Sequence, residues 1–171
     1  APDACLLRFP LPPSLPIPLH VAAPEGVALV TWAFAGLEAG ASGGPVCLLA
    51  LDATTGTLCP DFGTGGVINL NEDYPRLGTG VVNVTSPPAI FQDLAIVGTA
   101  IGDNQAVDMP DGVVRAFDVR TGEQKWAWNP IPDLYRAKSG AANAWAPLSL
   151  DPELATLFVP TTSPSPDYWG G

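Results

Sequence analysis

Apolar and polar positions along Asp111–Asn129 (DGVVRAFDVRTGEQKWAWN) read as one β-hairpin. Val113 and Val114 lead into Ala116, Phe117 and Asp118, the chain turns through Val119-Arg120-Thr121-Gly122, and a second run carries Trp126 and Trp128. The two tryptophans sit two positions apart, so both indoles face one side of a strand. Gly122 supplies the positive φ of a tight turn, and Asp118 and Thr121 can hydrogen-bond local main chain. Ala50–Gly56 matches Ala116–Gly122 position by position, 66 residues earlier, with Pro60 in the place of Trp126.

The same period-two runs, separated by Gly, Asp and Pro turns, predict antiparallel strands near 46–52, 85–91, 94–99, 112–118, 123–128, 145–150 and 155–160. They group as a hairpin over 46–59, a set of four over 85–129 and a hairpin over 145–160. No long stretch has helical periodicity. The fold class expected is all-β, built from four-stranded antiparallel units.

Residues 1–44 differ from the rest. Seven prolines fall among the first 24 residues, which removes donors and forbids a central strand there. The apolar run 27–35 is too short to span a bilayer as a helix. It follows Arg8 alone and so lacks the basic lead of a signal peptide. This stretch is expected to be an unassigned or disordered lead, with the β domain over 45–171.

Composition narrows the function. A net charge of −10, with 7 Lys and Arg against 17 Asp and Glu, argues against nucleic acid and against anionic membrane surfaces. Twenty prolines and 18 glycines suit a turn-rich β chain. Cys5, Cys47 and Cys59 make an odd count without metal-like spacing. A Cys47–Cys59 bridge is one reading and two small buried hydrophobes the preferred one. His20, the single histidine, is read as a surface residue.

The repeat Ala-x-Asp-x-x-Thr-Gly-x-x-x-Trp resembles that of quinoprotein β-propellers. Further segments are similar to the membrane-type quinoprotein glucose dehydrogenases and their relatives acting on polyols and quinate. They are Thr85-Ser86-Pro87-Pro88, Gly102-Asp103-Asn104-Gln105, Gly112–Asp118, Asn143-Ala144-Trp145-Ala146-Pro147-Leu148 and Pro166-Asp167-Tyr168-Trp169-Gly170-Gly171. The resemblance implies about two blades of an eight-bladed propeller: the outer half of one, one whole blade, and the inner half of the next. It also implies the cofactor pyrroloquinoline quinone (PQQ), a calcium or magnesium ion, a sugar, polyol or other alcohol as substrate, and ubiquinone as electron acceptor. The location implied is the periplasmic side of the inner membrane.

By the same resemblance Trp145 is expected to lie beneath the quinone and Thr85 to bind the cofactor through its hydroxyl. Asp103 is expected as the acidic metal ligand, with Asn104 beside it. Thr162-Ser163 stands where related quinoproteins carry a Gly-Asn metal ligand, which weakens the expected metal site. The family's catalytic aspartate and quinone-contacting lysine lie in downstream motifs without a match in these 171 residues; Asp167 is not that base and no catalytic residue is assigned. The isolated chain is therefore expected to be inactive. An alternative is a non-catalytic propeller scaffold of the outer-membrane-assembly type, which needs the turns but neither metal ligand nor stacking tryptophan.

Overall fold

A computed structural model describes residues 26–33, 46–72, 74, 82–102 and 109–166. Among them there are eleven strands and no helix: β1 Val27–Ala33, β2 Val46–Asp52, β3 Val67–Asn69, β4 Val82–Asn83, β5 Ala89–Phe91, β6 Leu94–Val97, β7 Ala100–Ile101, β8 Val114–Asp118, β9 Gln124–Trp128, β10 Ser149–Asp151 and β11 Thr156–Phe158. Every named strand pair is antiparallel. The sheets are β1-β2-β3, β4-β7, the four-stranded β5-β6-β8-β9, and β10-β11.

The four-stranded sheet is a complete blade, and it is the one expected over 85–129. Its β8–β9 hairpin closes on the Asp118 corner. There Asp118 Oδ1 accepts from the Arg120 and Thr121 amides at 3.0 and 2.9 Å. Gly122 turns back with φ 72°. Asp52 repeats the device with the Thr54 and Thr55 amides at 3.0 and 2.7 Å, and Gly56 has φ 71°.

The first sheet departs from expectation in two ways. After its turn the chain makes only an isolated bridge, Leu51 to Leu58, and no return strand. Instead β2 lies between β3 and β1, and β1 follows the proline-rich residues 1–24, which lie outside the described residues, within the stretch 1–44 left unassigned from sequence. Asp52 pairs with Val27 as Asp118 pairs with Leu94, so β1 stands in the first sheet where β6 stands in the blade. Strands β5 and β10 are also shorter than expected. Pro87, Pro88 and Pro147 stand just ahead of them and cannot donate to a ladder.

Alternation along β6 and β8 packs the blade on both faces. Ala95, Val97 and Phe117 join Leu29, Val46, Leu48, Ala50, Phe62 and Leu70 of the first sheet in one buried cluster. Ile96, Val114 and Ala116 turn the other way, against Ala144 and the half-buried Leu148 and Leu157 near β10–β11. Arg115, buried in β8, faces the first sheet: its Nη2 donates to the Leu70 carbonyl at 2.9 Å and its guanidinium lies 5.6 Å from the Tyr74 ring centre. Cys59 is a free thiol, so the Cys47–Cys59 bridge is not formed; Cys47 is disulfide-bonded, not the simple hydrophobe preferred from sequence.

Candidate functional site

The segment Gly140–Trp145 belongs to no strand, yet it joins three parts of the chain. Ala141, Ala142, Asn143 and Ala144 are all buried. On one side Ala141 N–H donates to Pro110 O (2.7 Å), Ala141 O accepts from Gly112 N–H (2.7 Å), and Ala144 N–H donates to Thr99 O (3.1 Å). On the other side Gly140 O accepts from Ser165 N–H (2.9 Å) and Asn143 O from Thr162 N–H (2.9 Å).

Small residues make this approach possible. A Cβ on Gly98 would come within 2.1 Å of Ala144 O, one on Gly140 within 1.7 Å of Met109 O, and one on Gly112 within 2.8 Å of the Asn143 Cα. Ala141 and Ala142 hold left-handed φ values of 59° and 52°. Such angles cost energy outside glycine and persist where surrounding bonds enforce them.

This strut ends on Trp145, whose side chain is half exposed although the residue before it is buried. The Trp145 carbonyl accepts hydrogen bonds from the Thr85 hydroxyl at 2.9 Å and the Ser86 hydroxyl at 2.6 Å. A carbonyl only accepts, so both hydroxyls donate. Thr85 and Trp145, both expected by the resemblance to contact the cofactor, are thus joined by a bond from the Thr85 side chain to the Trp145 main chain. The Thr85 proton is committed to Trp145, and its oxygen keeps acceptor capacity. Ser86 was not singled out from sequence, although it lies in the segment that carries the resemblance.

Asp103 and Asn104 lie outside the described residues. The chain leading to them is held at Ile101: its N–H donates to Asn143 Oδ1 at 2.8 Å and its C=O accepts from Asn143 Nδ2 at 2.9 Å. Asn143 is the functional candidate that the sequence reading missed. It opens one of the segments that carry the resemblance, and it is a polar residue within the apolar run Ala141–Trp145. Ser163 is exposed, and the Thr162 hydroxyl accepts from Asn143 N–H at 2.9 Å. Among the described residues, no three His, Cys, Asp or Glu side chains group as a metal site.

The shifted acid groups lie elsewhere. Main-chain bonds from Thr55 and Thr121 hold the Asp52 and Asp118 carboxyls below the ordinary range. Burial, then the negative charges of Asp52 and Asp61, push the Cys59 thiol up and keep it protonated.

Residues 44–171 match the β-propeller domain of the glucose/ethanol/alcohol dehydrogenases that use PQQ. The chain belongs to this family. The quinate/shikimate dehydrogenase (quinone) of Acinetobacter baylyi is 44% identical over 140 residues, covering 72% of this chain and 16% of that protein. The quinoprotein glucose dehydrogenase of Escherichia coli is 36% identical over 132 residues, covering 72% of this chain and 17% of that protein.

Among solved structures, a quinohemoprotein alcohol dehydrogenase from Pseudomonas putida superposes with a TM-score of 0.59 at 21% identity, over 85% of this chain and 21% of that one. A europium-containing methanol dehydrogenase gives 0.56 at 17% identity, over 84% and 25%. At these identities the structures show the propeller fold alone. The chain thus spans about a sixth of the length of the curated dehydrogenases it matches. Among the described residues, no helix is long and apolar enough to cross a membrane.

Proposed function

We propose that this chain supplies the tryptophan platform of a PQQ-dependent dehydrogenase that oxidises a sugar, polyol or other alcohol. The observation that carries the reading is Trp145: an exposed indole on a main chain fixed by two hydroxyls, within a family of PQQ enzymes. A rigid, solvent-facing π surface suits stacking against a flat conjugated ring. When bound, PQQ supplies the two-electron redox chemistry, and the protein's part is to hold and orient it. Trp145 provides the face, and Thr85 holds that face in place while offering its oxygen as an acceptor.

Asp103 and Asn104 are proposed as oxygen donors for calcium or magnesium, since hard cations take carboxylate and amide oxygens. The proposed acceptor of electrons is ubiquinone, on the precedent of a quinate/shikimate dehydrogenase named for a quinone. A periplasmic location at the inner membrane accords with the disulfide at Cys47, because such bonds persist in oxidising compartments. The propeller unit is proposed over 45–171, with β1 contributed from the segment before it. The scaffold alternative is disfavoured, because these relatives are dehydrogenases by name.

A PQQ titration with calcium, followed by tryptophan fluorescence, tests the reading. Saturable quenching is expected, weakened about tenfold in Trp145→Ala, since loss of one stacking partner costs roughly 1–3 kcal/mol. Trp128→Ala on the exposed strand β9 should bind as the parent does. Equal affinity in Trp145→Ala and the parent would overturn the assignment.

A further inference from the structure

We propose that Asn143 is the positioning residue of this site, locking the Trp145 platform and the end of β7 to one common reference. The inference rests on the cofactor reading above. Asn143 is only 1% exposed. Its carboxamide takes the N–H and gives to the C=O of a single residue, Ile101, at 2.8 and 2.9 Å. That is the reciprocal pair two facing strand residues exchange, made here by a side chain acting as a peptide group. Its own main chain meets Thr162 in the same reciprocal manner, N–H to Oγ1 and C=O from N–H, both at 2.9 Å.

Four bonds to two distant segments therefore converge on one residue that belongs to no strand. Trp145 lies two positions after Asn143, and Asp103 two positions after Ile101. Two residues of chain reach at most about 7 Å, so Trp145 cannot drift far from this knot. Thr85 and Ser86 fix the Trp145 carbonyl; Asn143 fixes the strut that presents it.

No apolar side chain of this size replaces it. Asn143→Leu fills the space but leaves Ile101 N–H and C=O without these partners. Asn143→Asp keeps an acceptor for the N–H, loses the donor to the C=O and buries a charge. An unpaired buried group destabilises the backbone around it, and the loss shows as local opening rather than global unfolding.

The test uses the 171-residue chain, its Asn143→Ala and Thr162→Val variants, and Val97→Ala as a core control in a different cluster. The readouts are amide exchange at Ile101 and Ala144, and the dissociation constant for PQQ with calcium chloride. Asn143→Ala should speed exchange at Ile101 and weaken PQQ binding by about tenfold or more, the size expected for a buried bonding group left unpaired. Thr162→Val, which removes one of the four bonds, should move both readouts the same way and less. Val97→Ala, compared at equal fraction folded, should stay within about threefold of the parent, because its side chain packs in the cluster shared with the first sheet and not in the one that holds Ala144.

Asn143→Ala binding within that threefold range overturns the inference. So does a loss in Val97→Ala equal to that in Asn143→Ala. If Asn143→Ala does not fold, Thr162→Val decides: unchanged exchange at Ala144 together with unchanged PQQ affinity overturns the proposal. Absence of saturable PQQ binding by the parent chain sinks the cofactor reading itself, which separates that failure from one confined to Asn143.

Discussion

Asp52 and Asp118 hold equivalent corners, and each carboxylate gathers amide donors that an unfolded chain does not supply. Their pKa values are lower folded than unfolded. The stabilisation is therefore complete above the ordinary carboxylate range and lost as pH falls through the folded value, since the unfolded chain then binds more protons. Asp118→Asn keeps an acceptor without the charge. Its stability should lie below the parent's at neutral pH, with the gap closing on acidification in denaturant melts; a gap unchanged with pH would contradict this. The corners were legible because Asp-x-x-Thr-Gly spells its own hydrogen bonds. Asn143 was not, because its partners Ile101 and Thr162 are far away in sequence and no local pattern announces them.

The Gly56 and Gly122 turns share a shape but not a neighbourhood. A Cβ at Gly56 meets nothing within 4 Å, whereas one at Gly122 would lie 2.8 Å from Gly63 N and 2.9 Å from Ile68 Cδ1. The Thr121 carbonyl also accepts from Gly63 N–H at 2.8 Å, so the blade's turn docks on the first sheet. Gly56→Ala should cost about 1–2 kcal/mol for its left-handed φ. Gly122→Ala should cost clearly more in the same thermal melts; equal costs would mean that the docking is not maintained. Strand β1 carries a second test, because Leu29 is fully buried in the cluster shared with the blade. Leu29→Ala should lose about 2–5 kcal/mol, whereas a dispensable lead would lose nothing measurable. β1 escaped the sequence reading because the prolines before it coloured the whole stretch. Conversely, the blade 89–128 was legible because its alternation and its turn agree.

At the scale of the molecule, one blade is covered on both faces by parts of its neighbours, and Trp145, the proposed platform, lies at one of those junctions. The propeller was legible because the Asp-x-x-Thr-Gly corner recurs at Asp52 and Asp118. The site was only half legible, since it is assembled from 85–86, 98–101, 140–145 and 161–165 by contacts that the strand pattern does not encode. The chain on its own should not oxidise glucose, quinate or short alcohols in a dye-linked assay with PQQ and calcium. No catalytic base is assigned within it, and base removal alone costs on the order of 100- to 10,000-fold. Turnover above a protein-free control, abolished by Asp103→Ala, would show that a base had been missed.

The most direct measurement is the ring-current shift of the five tryptophan indole N–H signals on adding PQQ and calcium. A ring stacked on Trp145 should move that signal most and leave Trp126 and Trp128 of β9 in place. Saturating PQQ that leaves the Trp145 signal unmoved, or that moves a β9 tryptophan instead, would contradict the platform.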